Sequence, residues 1–324
     1  MKSNICIKAP GWRLDITPTL SAWLMVIALF WSAMALAQEP AATRVVTVVG
    51  SGNATLDEHV IRLIEERIQG QAILTRVSSD SFQPDADNRL VITIGPSAFS
   101  RVRQTDRDAS ILAVLVERAF IQGYISRFPG QIGAVYYDVP LIRQALTGKA
   151  ILPQATNIAL LASTASAERY EPLLDQLSAY NLNARIFIAD TEDQLIPTLN
   201  RALSYGDFLL AGPDSTIYNP RNIKHILLTA YRRNKILIGP SQGYVKAGSL
   251  ASSYIPFAII ADQASAQLLE FLETGHFPAP EYPDEYRVEV NEQVAKSLNI
   301  PLPEREWIAR TVEQMLREVR ETSE

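Results

Sequence analysis

The sequence predicts an α/β protein made of two lobes, each built on a parallel sheet covered by helices. Nine apolar runs read as strands, segments with helical spacing separate them, and the runs are apolar on both faces. Strands that are buried on both faces and followed by helices are typical of parallel sheets. Because nine or more strands exceed what one compact open sheet usually holds, we expect two lobes.

The predicted strands alternate with predicted helices along almost the whole chain. Segments with helical spacing include LDEHVIRLIEERI, ERYEPLLDQLSAY and IPTLNRALSY. The apolar runs, in chain order, are RVVTVVG (44–50), AILTRV (72–77), RLVITIG (89–95), SILAVLV (110–116), QIGAVYY (131–137), NIALLAS (157–163), NARIFIA (183–189), DFLLAG (207–212) and KILIG (235–239).

The N-terminal segment has the order of a secretory signal peptide. Lys2, Lys8 and Arg13 precede an apolar run at residues 20–36, and Ala35-Leu36-Ala37 follows the pattern of a cleavage site. We expect cleavage after Ala37, which would give a soluble protein of the Gram-negative periplasm. The alternative is a retained membrane anchor, because the run is close to the shortest spanning helix, about 17 residues.

Charge and cysteine content exclude several classes of protein. The expected signal peptide carries three basic residues and one acidic residue, so its removal moves the net charge from −5 to −7. A chain this acidic is a poor candidate for binding nucleic acid, which requires Lys and Arg to neutralise phosphates. Cys6 is the one cysteine and would leave with the signal. The mature chain would then have no disulfide, cysteine metal site or lipid-modified cysteine.

Three predicted strands end in Gly-Pro followed by Ser or Asp. The sequences are IGPSA (94–98), AGPDS (211–215) and IGPSQ (238–242). Gly allows a sharp turn, Pro is favoured in the first turn of a helix, and Ser or Asp can cap free N–H groups. On the structural interpretation these are only well-formed connections from strand to helix.

The functional interpretation of the three turns is a ligand crevice. The carboxyl ends of strands in open parallel sheets line such a crevice, and the exposed helix N-termini there favour carboxylates or other anions. We expect Ser97 on one lobe to face Asp214, Ser215 and Ser241 on the other.

Sequence motifs of catalysis are absent. The three histidines lack the spacing of metal ligands, and the chain has no G-x-S-x-G, P-loop or G-x-G-x-x-G motif. GSGNAT (50–55) predicts either a ligand contact through Asn53 or a turn in which Asn or Thr caps the helix at Leu56. Tyr136-Tyr137 before Asp138 has two interpretations: aromatic packing in the core or at the hinge, or a platform for a ligand. We expect a protein without enzymatic activity, cofactor or metal.

Several segments, most of them after Lys235, resemble a known family. VYYDVPLIRQ is followed by KILIGPSQG, YVKAGSLASSYIPF, ADQASAQLLEFLETG and YRVEVNEQVAKSLNIPLPE. Residues 246–252 resemble the family pattern V-K-x-G-A-L-A-S-Y, and residues 290–298 resemble N-x-x-x-A-x-x-L-G. Over roughly residues 44–318 the chain resembles the ABC transporter substrate-binding proteins of the tryptophan/tyrosine type.

The resemblance implies the type I periplasmic-binding fold, in which two Rossmann-like lobes are joined by a hinge that the chain crosses three times. It implies crossings near 139–140, 256–258 and 281–285. The implied lobes are residues 38–139 plus 258–282 and residues 140–257 plus 283–324.

The function implied by the resemblance is solute binding for transport. Such a protein closes on a small polar ligand, here an amino acid or similar carboxylate, and delivers it to an ABC permease in the inner membrane; we expect a monomer. The alternative is a ligand-sensing or accessory envelope protein on the same fold. The candidate ligand-binding residues are Ser51, Asn53, Gly95, Ser97, Glu117, Tyr137, Asp138, Ser163, Asp214, Ser215, Thr216, Ser241 and Gln242.

The chain departs from the family pattern at four contact segments. The family's H-P-A-L-D corresponds to residues 53–57 (NATLD), T-P-A-A to 95–98 (GPSA), D-P to 117–118 (ER) and P-x-D to 213–216 (PDST). These changes leave the predicted fold unaffected and argue against an aromatic amino acid as the ligand.

Two C-terminal segments carry further structural predictions. Residues 239–242 predict a strand-end turn that faces the crevice, and residues 244–257 predict a short helix and an edge strand leading to the hinge. The final helix is amphipathic and is expected to pack against the second lobe. Its predicted apolar stripe is Trp307, Ile308, Val312, Met315, Leu316 and Val319.

Overall fold

The structure is a computed structural model that describes residues 44–87 and 89–323. The expected signal peptide, residues 1–37, lies outside this part of the chain. The strands of the described residues are β1 (Arg44–Val49), β2 (Ala72–Val77), β3 (Leu90–Ile94), β4 (Ser110–Val116), β5 (Ile132–Tyr136), β6 (Asn157–Ala162), β7 (Asn183–Ile188), β8 (Phe208–Leu210), β9 (Ile236–Ile238), β10 (Ala251–Tyr254) and β11 (Arg287–Val290).

The α-helices alternate with these strands. No helix of the described residues combines the length and the apolar composition that crossing a bilayer requires. The helices are α1 (Ala54–Ile68), α2 (Gly95–Thr105), α3 (Arg118–Arg127), α4 (Leu141–Ile151), α5 (Glu171–Leu177), α6 (Glu192–Tyr205), α7 (Asn222–Arg232), α8 (Gln242–Ala247), α9 (Phe257–Thr274), α10 (Glu292–Ser297) and α11 (Arg305–Ser323).

The strands form two sheets. The first has the order β2-β1-β3-β4-β5, and its pairs β1–β3, β3–β4 and β4–β5 are parallel. The second has the order β11-β10-β9-β8-β6-β7, with β10 and β11 antiparallel and the other pairs parallel. The predicted class of two lobes with parallel sheets is confirmed, and each of the nine apolar runs contains a strand.

The first sheet is buried on both faces, which explains why its strands are continuously apolar. On β3, Ile92 packs with Ile64 of α1 and Leu268 of α9. The adjacent Val91 points to the opposite face, where it shares a core with Phe99 of α2. Each such side chain contributes roughly 1.5–3 kcal/mol by leaving water.

The second sheet is buried in the same way. Leu160 of β6 belongs to the core that contains Leu146 of α4 and Ile308 of α11. The next residue, Leu161, belongs to the core on the other face, together with Leu199 of α6. Successive strand residues point to opposite faces, so a run such as NIALLA supplies both cores.

The last helix packs against the second sheet, as predicted, but one residue of its predicted stripe is wrong. Ile308 and Val312 of α11 are buried in the core beside α4. Trp307 is 45% exposed. Adjacent helix positions lie about 100° apart, so Trp307 points away from the core when Ile308 faces it.

The chain passes three times between the two sheets. The first passage runs from β5 to α4, whose apolar side lies in the second core. The second runs from β10 to α9, which packs against α1. The third runs from α9 to β11. These three connections join the two lobes.

The small residues near the second passage pair with side chains of α4. Ser253 of β10 donates its N–H to Gln144 Oε1 at 2.8 Å, and the Gln144 amide donates to Ser253 O, also at 2.8 Å. The hydroxyls of Thr147 and Ser253 are 2.8 Å apart. A larger side chain at Ser253 would displace the helix.

β10 is an internal strand, so the prediction of an edge strand is wrong. It pairs with β9 on one side and with β11 on the other. The sequence did not indicate β11 because its four residues, RVEV, contain only two apolar side chains.

The third passage also contacts α4. The Arg143 guanidinium lies 3.8 Å from the centre of the Tyr286 ring and forms an ion pair with Glu313 of α11. Through Gln144 and Arg143, α4, the helix that follows the first passage, therefore contacts the strand before the second passage and the third passage itself.

Candidate functional site

The loop after β1 is held by a fully buried carboxylate. Asp57 accepts hydrogen bonds from Ser51 N at 2.9 Å and Ser51 Oγ at 2.7 Å, while Arg76 donates to its other oxygen at 3.1 Å. Asn53 Oδ1 accepts the N–H of Leu56, as the capping interpretation predicted. Ser51 and Asn53 thus use their side chains within the loop.

The β3 end supplies a second loop beside the first. Gly95 has φ = 83°, which favours glycine, and a Cβ placed on it would lie 3.9 Å from Ser51 Cβ. Threonine, which the family pattern has at this position, rarely adopts this conformation. Ser97 is exposed in the first turn of α2, and its hydroxyl makes no hydrogen bond with any described residue.

The β4 end contains a bulge that the sequence did not indicate. Leu115 has φ = 59°, in the left-handed region, and the register against β5 shifts between Val114 and Val116. Such conformations are costly for a branched side chain and often occur near functional sites. The bulge lies just before Glu117, which accepts a hydrogen bond from Tyr137 OH at 3.0 Å.

Asp138 lies where the first passage begins. Its Oδ1 accepts from Arg118 N at 3.0 Å, and its Oδ2 accepts from Tyr282 OH at 2.8 Å. Burial raises the pKa of Asp138, and the charge of Glu117 adds to this; the two hydrogen bonds only partly offset it. Burial and the neighbouring Glu117 likewise raise the pKa of Tyr137.

Asp214 organises the turn after β8. Its carboxylate accepts from Ser163 N at 2.7 Å, Thr216 N at 2.9 Å, Ile217 N at 3.3 Å and the Ser166 hydroxyl. Burial acts to raise the pKa of Asp214, but these hydrogen bonds hold it below its usual range.

The four donors occupy the carboxylate of Asp214, so its turn offers other groups to a ligand. Ser163 is itself buried and bonded to Ser166. Ser215 and Thr216 are exposed, and their hydroxyls make no hydrogen bond with the described residues. These two side chains are therefore the ones available.

The β9 end contributes Ser241 and Gln242 at the start of α8. The hydroxyl of Ser241 has no hydrogen-bond partner in the described part of the chain, and the residue is partly exposed. Gln242 Nε2 donates to Glu289 Oε2 at 3.3 Å. Ser241 is available to a ligand, whereas Gln242 already pairs with β11.

A small pocket beside Thr216 contains residues that the sequence reasoning missed. Its volume is about 280 Å³, and it includes Asp190, Asn219 and Asn222. Asp190 accepts two hydrogen bonds from Thr164, N–H and hydroxyl each at 2.7 Å, which lower its pKa. The sequence signal that could have identified Asp190 and Thr164 is their position, because each directly follows a predicted strand, β7 and β6 respectively.

The structure brings the candidate residues together within each lobe. Ser51 and Gly95 are neighbours in the first lobe, as are Glu117, Tyr137 and Asp138. In the second lobe Asp214 joins the ends of β6 and β8. Among the described residues, no hydrogen bond joins the candidates of one lobe to those of the other.

The comparison with protein-family models and the comparison with curated proteins find no match. Solved structures do match. The ligand-free, open structure of a substrate-binding protein with adhesive properties from Clostridium difficile gives a TM-score of 0.69 at 14% identity, covering 82% of this chain and 98% of that chain.

Two further structures match with the same overall arrangement. The ABC domain in complex with L-Trp from Streptococcus pneumonia gives a TM-score of 0.57 at 16% identity, covering 81% of this chain and 97% of that chain. A conserved domain protein from Vibrio cholerae gives 0.57 at 14% identity, covering 83% and 98%. At these identities the likeness shows the fold. The chain has the type I periplasmic-binding fold that the resemblance implied.

Proposed function

We propose that the chain is a periplasmic solute-binding protein that closes on a small polar ligand, an amino acid or similar carboxylate, and delivers it to an ABC permease. The observation that carries the proposal is the distribution of free hydroxyls. Ser97 in one lobe and Ser215, Thr216 and Ser241 in the other lie at strand ends without hydrogen-bond partners among the described residues. Hydroxyl groups in this position suit a polar ligand.

The N-terminus of α2 supports a carboxylate as part of the ligand. The helix begins at Gly95 without a side-chain cap, and Pro96 has no N–H, so the N–H groups of Ser97 and Ala98 are the ones available to an anion. Ser97 lies in the same turn. We propose that the carboxylate of the ligand binds there and that the hydroxyls of the second lobe bind its remaining polar groups.

The other candidate residues would position this site. Ser163 with Asp214 fixes the turn from which Ser215 and Thr216 project, and Ser51 with Asp57 fixes the loop that lies beside Gly95. Glu117, Tyr137 and Asp138 would act at the hinge, because Asp138 bonds to Tyr282 of the third passage. Rigid loops keep a binding geometry at small entropic cost.

Closure would be a rotation of the lobes 38–139 plus 258–282 and 140–257 plus 283–324 about the three passages. A ligand that contacts both lobes binds the closed state better than the open one, so it shifts the equilibrium toward closure. The partner permease would then recognise the closed form. Such a mechanism needs no catalytic group or cofactor.

Calorimetry against a panel of amino acids and small carboxylates tests the proposal. We expect one ligand to bind and to make the protein more compact in X-ray scattering. Ser97→Ala and Ser215→Ala should each weaken its binding by about three- to tenfold, since each loses one hydrogen bond. The control Ser126→Ala removes an exposed hydroxyl of α3 and should change nothing. Absence of both binding and compaction across the panel would refute the proposal.

Transport assays separate the two roles that the fold allows. Uptake of the ligand that depends on this protein supports delivery to a permease. Binding and closure without any contribution to uptake would instead favour a sensing or accessory role in the envelope, which the changed contact positions Gly95 and Glu117 allow.

A further inference from the structure

A groove lies between β7 and α6, on the side of the second lobe. Its volume is about 690 Å³. Four consecutive residues of β7, Arg185 to Ile188, form one wall. The other is formed by four residues of α6 together with Arg233, the four being Asn200, Arg201, Ser204 and Tyr205. None of the candidate ligand residues lines this groove, so its role is independent of the proposed solute site.

The groove is basic in an acidic protein. Arg185, Arg201 and Arg233 line it, and no Asp or Glu does. Within the described residues none of the three forms an ion pair; Arg201 bonds to Thr198 Oγ1 and Arg233 to Ser204 Oγ, at 3.0 and 3.4 Å. The full chain has a net charge of −5, so this concentration of unpaired positive charge is local.

β7 is the edge strand of its sheet, and its outer edge faces the groove. Asn183 N donates to Thr156 O and Ala189 N donates to Ala162 O, which fixes the alternation of the ladder against β6. The intervening even-numbered residues, Ile186 among them, direct their N–H and C=O groups away from β6. The C=O of Ile188 accepts from Thr198 Oγ1 at 3.4 Å, and the outward groups of Ala184 and Ile186 are open to another strand.

Apolar surface accompanies the open edge. The Phe187 and Tyr205 rings lie 5.8 Å apart, and Arg185 lies over the Phe187 ring at 5.3 Å. Ile188 at the end of the strand is 39% exposed. A guanidinium on an aromatic ring with an apolar neighbour is a common arrangement in protein interfaces.

We infer that the groove is a docking site for an extended acidic peptide segment of a partner protein, which adds to β7 as a further strand. The backbone of that segment would bond to the free N–H and C=O groups of β7, and its carboxylates would pair with Arg185, Arg201 and Arg233. Charged residues on an edge strand can also serve only to prevent pairing between copies. Charge of one sign, however, selects an acidic strand and repels a basic one.

A synthetic peptide in which Glu alternates with Thr is a direct probe. We expect it to bind the purified protein in fluorescence anisotropy, more weakly at high salt because screening weakens the ion pairs. The triple variant Arg185→Glu, Arg201→Glu, Arg233→Glu should weaken binding by about a hundredfold. The control Arg127→Glu, Arg232→Glu, Arg310→Glu makes the same charge change at exposed positions outside the groove and should have a much smaller effect.

Amide exchange tests strand addition itself. On peptide binding, exchange at Ile186 should slow, whereas Phe187, whose N–H is already in the ladder with β6, should be unaffected. A peptide methylated on alternate backbone nitrogens should bind at least about tenfold more weakly, since it cannot complete the ladder. Equal binding of the methylated peptide, equal loss in both triple variants, unchanged exchange at Ile186, or no binding of the acidic peptide would each overturn the inference.

Discussion

Asp138 at the start of the first passage and Asp214 at the turn after β8 are both withdrawn from water, yet their pKa values move in opposite directions. Two donors reach Asp138, a backbone N–H and the Tyr282 hydroxyl, and the nearby Glu117 opposes its charge. Four donors reach Asp214, three of them backbone N–H groups. Hydrogen bonding outweighs burial at Asp214, whereas burial and the charge of Glu117 outweigh it at Asp138.

The two carboxylates therefore contribute to stability in opposite ways as the pH changes. The lowered pKa of Asp214 means that its stabilising contribution is complete above the unfolded-state pKa, about 3.9, and is lost as pH falls through the folded-state value. The raised pKa of Asp138 has the opposite sign, because the folded state favours the protonated form. Its contribution is greatest at low pH and is lost as pH rises through the raised value.

Asp214→Asn should have the largest effect on stability. The neutral amide cannot accept from four donors, so we expect a loss of about 3 kcal/mol in the free energy of unfolding at neutral pH. Urea unfolding at neutral pH and below about pH 4 measures it, and the loss should shrink at the lower pH. Asp80→Asn, at an exposed site, is the control. A loss below about 0.5 kcal/mol would mean that the turn does not depend on the charge.

Tyr282→Phe should have the next largest effect. It removes a donor to the Asp138 carboxylate, which costs about 1.5 kcal/mol when the carboxylate is charged. The pKa of Asp138 should rise further, because Tyr282 lowers it in the native protein. Carboxyl-carbon NMR titration measures the pKa. A pKa that falls or stays constant would contradict the assignment of this hydrogen bond.

Asp138→Asn should flatten the pH dependence of stability. In the native protein the Asp138 contribution declines as pH rises through its raised pKa, and a side chain that cannot ionise lacks this decline. Unfolding free energies of both proteins, compared from about pH 3 to 7, give the difference. Parallel curves would show that Asp138 titrates at an ordinary pKa.

Ser215→Ala should have the smallest effect, within about 0.5 kcal/mol of the native stability. The Ser215 hydroxyl makes no hydrogen bond with the described residues. The Ser166 hydroxyl, by contrast, donates to the Asp214 carboxylate. Ser166→Ala should therefore cost about 1 kcal/mol more in urea unfolding. Equal losses would remove the distinction between hydroxyls that hold the turn and hydroxyls left for a ligand.

The fold was predictable where the hydrophobic pattern is strong. Continuous apolar runs such as LVITI gave the parallel strands, because both faces of each sheet are buried. The pattern failed at β11, an antiparallel edge strand whose sequence RVEV alternates between polar and apolar residues. It also failed at Trp307, which is exposed because the adjacent Ile308 faces the core.

The location of the candidate residues at strand ends was predictable, whereas their hydrogen-bond partners were not. Strand ends in a parallel sheet are crevice positions whatever their sequence. Which side chains remain free depends on distant partners, as Arg76 of β2 with Asp57 and Ser163 with Asp214 illustrate. The backbone angle of Gly95, φ = 83°, which favours glycine, is likewise visible only in the fold.

The position of Arg143 and Gln144 has a mechanical consequence. Gln144 fastens α4 to the strand before the second passage, and Arg143 holds Tyr286 of the third. The second and third connections are thus both fastened to the helix that follows the first. A rotation between the lobes would therefore have to be taken up by the linking residues beyond these contacts.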